Sequence, residues 1–291
     1  MGLTKFNIKL KDEKRERTII KNHSNVNGFS VLAIHDKQIV RQYLAKENAA
    51  DFIYHCNNLE SPYWEATQWF GWFDGQTVLA LAMLIMKYET PVLLACSYRD
   101  DDAAQQQLLQ ALQPYLPRSL YCHLNRGVWH ELRNDFSVQA VCGYHNMQLT
   151  GSSAVPSPSG VDRVRRLGPA DFDRIVELLE QSHPDHLLDE EFLRAGYFWG
   201  IESDQRLVCL AGVVAKSAAY GLVSLGNVTT HPDYRRQGLA RLTLTKALAD
   251  LRAEFSTIVL NVKAQNQAAI ACYRQLGFAT SGSFEEVILG E

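Results

Sequence analysis

Asn227-Val-Thr-Thr-His-Pro-Asp-Tyr-Arg-Arg-Gln-Gly-Leu-Ala240 stands between two segments of different period. Before it ends a strand-like apolar run, Leu222 to Thr230. After it Ala240, Leu244, Leu248, Leu251 and Phe255 recur at helical spacing, which predicts a helix from about Gln237 to Glu254. The stretch is therefore a strand-to-helix turn. A helix N-terminus carries unpaired N–H groups and the positive end of the helix dipole, and so suits an anion such as phosphate. Gly238 and the small Ala240 let the backbone approach closely, Arg235 and Arg236 add positive charge, and Gln237 adds a donor. Two solvated arginines before a capped helix would give the same letters, so the surroundings have to decide.

Upstream, Val161 to Leu167 reads as a strand, and Pro169 opens a helix with Ile175, Leu178 and Leu179 on one face. A second helix is expected around Asp189 to Ala195, then strands at Tyr197 to Ile201 and Leu207 to Ala215, joined at Ser203-Asp204. Downstream come a strand at Thr257 to Val262, a helix at Gln267 to Leu276 and a strand at Phe284 to Leu289. This order implies a mixed sheet covered by helices.

The first half repeats the order with different residues. It has a strand at Phe29 to Ile34, a helical region from Asp36 to about Cys56, and a hairpin of Trp69 to Phe73 with Val78 to Met86 around Asp74-Gly75. Then follow a strand at Val92 to Cys96, a helix at Ala103 to Leu116, a strand at Ser119 to Leu124, a helix at Val128 to Asp135 and a strand region at Val138 to Met147. Between the halves, Gly151 to Gly160 reads GSSAVPSPSG, a linker composition. The expected organisation is a polar extension over 1–27, a first domain over 28–150, a linker over 151–160 and a second domain over 161–291. The fold class is α/β (a mixed α+β sheet), two copies of one fold in tandem.

The 291 residues carry 29 Lys+Arg against 32 Asp+Glu, a net charge of -3, so no overall field draws the chain to nucleic acid or an anionic membrane. No apolar run is long enough to span a bilayer. The N-terminus mixes acids with bases and lacks an apolar stretch, unlike a signal or transit peptide. Cys56, Cys96, Cys122, Cys142, Cys209 and Cys272 form no CxxC pair, which argues against zinc and against a disulfide framework. A cytoplasmic protein without metal, and without nucleic-acid or membrane partners, is expected as a monomer or homodimer.

The turn resembles the Q/R-x-x-G-x-G/A pyrophosphate loop of the GCN5-related N-acetyltransferases (the GNAT superfamily), through Arg235, Gly238 and Ala240 and the preceding V-T-x-H-P-x-Y-R pattern. Asn266-Gln-Ala-Ala-Ile-Ala-Cys-Tyr273-Arg-Gln-Leu-Gly277-Phe278 resembles the same family's N-x-x-A-x-x-x-Y-x-x-x-G-F segment. The resemblance runs from Val161 to about Leu289, and the region after Leu207 is similar to the glycine acyltransferase-like branch. It implies two GNAT-like domains, each a mostly antiparallel mixed sheet flanked by helices, and an N-acyltransferase that moves an acyl group from acetyl-CoA or another acyl-CoA directly to an amine of a small molecule or peptide. A non-catalytic acyl-CoA-binding or sensing protein is the rival reading.

The same resemblance implies site residues. Val228, Thr230, Arg235, Arg236, Gln237, Gly238, Leu239, Ala240, Asn266 and Tyr273 are expected to hold the acyl-CoA, Val228 through a backbone N–H aimed at the oxyanion. Tyr273 is the expected general acid: a phenol with a reference pKa of about 10 stays protonated near neutrality and can donate to a departing thiolate. On spacing alone it could equally be a core aromatic, since Ala269, Cys272, Tyr273 and Leu276 share a face. No general base stands out. Asn227 cannot accept a proton, His231 lies in a loop where the family often carries His without catalytic duty, and Glu190 or water remain open. Cys272 and the aromatic run from Tyr63 to Phe73 read more simply as core, and Asp185, Asp189 and Glu190 as solvated carboxylates.

The first copy departs from both motifs. Its loop reads Arg99-Asp100-Asp101-Asp102-Ala103, without glycine and acidic where phosphate would sit. Leu132 stands seven residues beyond Asn125, where Tyr273 stands seven beyond Asn266. The first domain is therefore expected to be a degenerate copy without cofactor.

Overall fold

The computed structural model describes residues 23–26, 29–98, 103–133, 135–151, 159–183 and 186–291. The expected extension up to residue 22, the acidic loop at Asp100 to Asp102, most of the linker and Asp185 lie outside them.

The N-terminal elements are β1 (His23–Val26), β2 (Phe29–Ile34), α1 (Lys37–Leu44), α2 (Ile53–Asn58), β3 (Thr67–Asp74), β4 (Thr77–Ile85), β5 (Val92–Ala95), α3 (Ala103–Leu112), β6 (Leu120–Leu124) and β7 (Ser137–Leu149). The C-terminal ones are β8 (Arg165–Leu167), α4 (Phe172–Ser182), α5 (Glu190–Arg194), β9 (Phe198–Ser203), β10 (Arg206–Ser217), β11 (Leu222–Thr230), α6 (Leu239–Leu251), β12 (Thr257–Lys263), α7 (Gln267–Gln275) and β13 (Phe278–Gly290). The class is the mixed α/β one expected, with helices flanking mostly antiparallel strands. Each half contains one parallel pair, β5 with β6 and β11 with β12.

The boundaries differ from the expected ones. The C-terminal unit holds Met147–Val262 and Asn266–Thr280, while the N-terminal unit runs to Asn146 and takes in Lys263–Gln265 and Ser281–Glu291. The break at 150/161 and the assignment of the whole of 161–291 to one domain are thus corrected. Strand pairing is the reason: the end of β13 is an antiparallel neighbour of β6, with Glu285 opposite Leu124 and Leu289 opposite Leu120. Val287 and Leu289 complete the core of the N-terminal unit. Met147, conversely, is fully buried in the C-terminal core, and the Thr150 N–H donates to the Gly277 carbonyl. The polar extension also ends sooner than residue 27, because His23–Val26 pairs with β2.

In the N-terminal unit the strands run β1-β2-β3-β4-β5-β6-β13. Leu108, Leu109 and Leu112 of α3 cover one face, against Leu93, Ala95, Cys122 and Leu124. The aromatic run of β3 is core, as its composition suggested: Trp69, Phe70, Trp72 and Phe73 are all buried. The helix expected over Val128 to Asp135 is only a 3-10 turn, Val128–Glu131, opened by Gly127 in the left-handed region. Leu132 behind it is fully buried.

In the C-terminal unit the order is β12-β11-β10-β9-β8. Gly212 of β10 is required by packing: a Cβ there would lie 2.2 Å from the ring of Phe198, which is itself sealed in the core. Asp171, beside α4, is held by Arg165 at 2.7 Å and by Arg174, and these guanidinium partners pull its carboxyl down to about 2.

His55 of α2 sits in the N-terminal core between Phe52 (ring centroids 5.2 Å apart) and Trp69 (5.9 Å). Desolvation and then nearby His123 lower its pKa from 6.5 to about 3. The unfolded chain therefore takes up a proton that the folded chain refuses. The resulting stability is fully present above 6.5 and is lost as the pH falls toward 3, by about 1.4 kcal/mol per unit. Urea unfolding at neutral and mildly acid pH is expected to show this loss, and His55→Leu is expected to flatten it.

Candidate functional site

The site begins where β11 leaves its parallel neighbour. The two strands stay in register from Leu222 opposite Thr257 to Leu225 opposite Leu260, and beyond that β11 pairs only with β10. On the β10 side the register slips between Leu210 opposite Thr229 and Gly212 opposite Gly226, so Asn227 and Val228 together face one residue, a β-bulge. Asn227 takes φ +50°, a left-handed conformation that Asn tolerates better than most residues. Its buried side chain donates from Nδ2 to the Leu187 carbonyl at 2.9 Å, tying the segment before α5 to the bulge. The Gly226-Asn227 pair inside an apolar strand was the available sign of this bulge.

The chain then turns into α6. His231 Nδ1 accepts the Asp233 N–H at 3.3 Å and caps the short turn Pro232–Tyr234, which gives this histidine a structural duty. Arg235 Nε donates to the Thr230 carbonyl at 3.2 Å, drawing the two ends of the turn together. The Thr230 hydroxyl lies 3.3 Å from Cys209 Sγ, and the Thr243 hydroxyl of α6 donates to the same sulfur, so Thr230 offers a ligand chiefly its backbone.

Arg236 (φ +63°) and Gly238 (φ +77°) are both left-handed, and residues 235 to 238 are exposed. Gly238 is the N-cap of α6 and supplies no side-chain acceptor, and the first turn of α6 contains no acid. The leading N–H groups and the dipole of a 13-residue helix are therefore left for an external anion. A Cβ at Gly238 would meet no protein atom within 4 Å, so the glycine serves the backbone conformation and the open side of the loop. Leu239 buries its side chain in the core and Ala240 is half-buried, which leaves only their backbone to a ligand.

Tyr273 lies on α7, started by Asn266, whose side chain accepts the Ala269 N–H at 3.2 Å. That cap occupies the Asn266 carbonyl oxygen. Gly277 at φ +93° ends the helix and lets the chain return into β13. The Tyr273 ring is 6% exposed and packs edge-on against Phe278 at 6.1 Å. Burial, and secondarily Cys272, push its phenol well above the ordinary value of about 10. The core reading and the donor reading are thus compatible: the ring is buried and the hydroxyl stays protonated near neutrality.

Burial raises the Cys272 thiol of α7, and the charge of Arg241 on α6 partly opposes it. Cys272 is a protonated, half-buried thiol rather than an activated nucleophile. Of the carboxylates considered, Asp189 caps α5 by accepting the Glu191 N–H at 2.9 Å, and Glu190 is exposed and paired with Arg194. Among the described residues no group of three or more His, Cys, Asp or Glu side chains is gathered to hold a metal.

Residues 165–278, which span this geometry, match the Acetyltransferase (GNAT) family. This segment is a GNAT domain. A ribosomal protein bS18-alanine N-acetyltransferase from Escherichia coli (strain K12) is 45% identical over 56 residues, which cover 19% of this chain and 38% of that relative. The chain thus spans well under half the length of the curated relatives it matches. Among solved structures, a GCN5-related N-acetyltransferase from Sphaerobacter thermophilus superposes with a TM-score of 0.60 at 13% identity, covering 92% of this chain and 97% of the other. A tandem GNAT protein from the clavulanic acid biosynthesis pathway gives 0.57 at 14% identity, covering 90% and 98%. These likenesses show the fold, and both extend it over the two halves of the chain.

If the open loop of the GNAT domain receives a pyrophosphate, Gly238→Asp puts a carboxylate and a strained Cβ where the anion would lie. Calorimetry is expected to show CoA binding abolished, with the circular dichroism spectrum retained.

Proposed function

We propose that this protein is an acyl-CoA-dependent N-acyltransferase, in the first instance an N-acetyltransferase, acting on an amine of a small molecule or peptide. The observation that carries the reading is the parting of β11 from β12 after Leu225 and Leu260, with the bulge at Asn227 and Val228 on the freed edge. Backbone groups of 226–230 are available there to an extended pantetheine arm, in the manner of an added strand. Arg235, Arg236, Gln237 and the N–H groups from Gly238 to Ala240 would hold the pyrophosphate, while Asn266 and Tyr273 would close the other wall.

In the proposed reaction the neutral amine attacks the thioester carbonyl, forming the C–N bond. The Val228 N–H stabilises the oxyanion, and the C–S bond breaks as the sulfur takes a proton. Tyr273 supplies that proton and is reprotonated from water, which also takes the proton the amine nitrogen loses. Direct transfer is favoured over a covalent intermediate because the Cys272 thiol is held protonated.

Tyr273→Phe keeps the ring and its packing on Phe278 and is expected to lower kcat by about 10²-fold or more with little change in acyl-CoA affinity. A screen of amino acids, polyamines and peptides for CoA release identifies the acceptor. Release with no acceptor tried, despite tight acyl-CoA binding, would favour the sensing role instead.

We also infer that the N-terminal unit takes no acyl-CoA. Past the matching parallel pair, which ends at Ala95 opposite Leu124, the strand ends are joined rather than parted. The Ser97 N–H donates to Asn125 Oδ1 at 2.7 Å, and Asn125 Nδ2 donates to the Ser97 hydroxyl at 2.7 Å, both residues being buried. One CoA per intact chain is the stoichiometry expected from calorimetry, and two would overturn this assignment.

A further inference from the structure

Strand alternation gives β6 two unlike faces. Leu120, Cys122 and Leu124 point into the core under α3, so Tyr121 and His123 point the other way. β13 is paired so that Glu286 lies opposite His123, with Phe284 two residues before it on the same face. The result is a polar, aromatic face within the N-terminal unit that neither the core nor the proposed transfer reaction uses.

Phe284 is its floor, only 1% exposed. Tyr144 stacks on it at 5.5 Å, Tyr98 meets it edge-on at 5.9 Å and His123 lies 4.7 Å away. Tyr54 and Tyr121 in turn stand edge-on to His123, at 5.8 and 5.7 Å. All four tyrosines are half-buried. Tyr98 holds its position at φ +58°, in a region bulky residues seldom enter, so the surrounding structure enforces this placement.

One carboxylate is set into the cluster. Glu286, 16% exposed, lies 3.5 Å from His123 Nε2 and shares a hydrogen bond with the Tyr121 hydroxyl. His123 Nδ1 is buried and without a hydrogen-bond partner. The basic side chains that lie over rings among the described residues, Lys37, Lys87, Arg166 and Lys216, do so elsewhere. Burial, and then Glu286, keep the Tyr121 phenol protonated, so this wall offers tyrosine rings and hydroxyls beside Glu286, with Asp51 acting on Tyr98 as a second carboxylate.

Aromatic rings gathered beside a partly desolvated carboxylate favour a cation that is weakly hydrated and broad enough to touch several of them. We propose that the N-terminal unit binds an organic ammonium group at the half-buried tyrosine cluster Tyr54, Tyr98, Tyr121 and Tyr144 beside Glu286. Anions are excluded by the same acid, and a metal ion would find too few hard ligands there. The site stands apart from the acyl-CoA reading and does not depend on it.

The test is binding of choline and of n-butylammonium to the full chain, by calorimetry, with uncharged 3,3-dimethylbutan-1-ol as the shape control for choline. At least one cation is expected to bind about 10-fold or more tightly than the neutral compound. Glu286→Gln is expected to remove that preference, and Tyr144→Leu to weaken cation binding several-fold. CoA affinity should be unchanged in both variants, and Gly238→Asp should leave the ammonium site intact, so the two assignments fail separately. If Glu286→Gln does not fold, the half-buried Tyr144→Leu decides alone. Equal binding of cation and neutral control, no binding of either cation, or unchanged cation affinity in the folded variants would overturn the proposal.

Discussion

The separation of two parallel strands is the constraint on which the C-terminal half depends. Parallel pairing normally continues because each unpaired N–H and C=O left in the interior costs free energy. Here it stops at Leu225 and Leu260, and the bulge at Asn227 and Val228 redirects the strand that departs. A surface that can pair with another extended group is thereby built into the sheet. Asn227 supports the interruption twice, by accepting a left-handed backbone and by bonding the Leu187 carbonyl.

Different tasks fall to α6 and α7 in the proposed reading. The start of α6, at Gly238, offers N–H groups without a side-chain cap, with exposed Arg235 and Arg236 beside them. On α7 a buried phenol, Tyr273, is kept protonated by desolvation. Anion binding needs accessible backbone and a strong local field, whereas a proton donor gains from exclusion of water. In the proposed reading one unit would meet both needs, because α6 begins at the surface and Tyr273 is buried on α7.

The N-terminal half reuses the arrangement with the opening closed. Ser97 and Asn125 bond each other reciprocally where the C-terminal strands part, and a 3-10 turn replaces the helix that carries Tyr273. Its sheet is completed by the last strand of the chain, whose outer face brings Phe284 and Glu286 among four tyrosines. The two halves thus differ in which polar groups are satisfied internally where the parallel pair ends.

The sequence by itself determined the order of elements, the mixed sheet and the phosphate-suited turn, since local periodicity and the residues Gly238, Arg235 and Arg236 act over a few positions. It also put Tyr273 on a helix face with Ala269, Cys272 and Leu276, which is read from spacing. It could not set the unit boundaries: GSSAVPSPSG reads as a divide, yet Met147 belongs to one core and Val287 and Leu289 to the other, because hydrogen-bond partners far along the chain decide strand membership. Nor could it reveal that Asn266 and His231 spend their side chains on caps, that Ser97 finds Asn125, or that Tyr54, Tyr121 and Glu286 converge. Those facts depend on register and burial, which arise only when remote segments are brought to hydrogen-bonding distance and water is excluded between them.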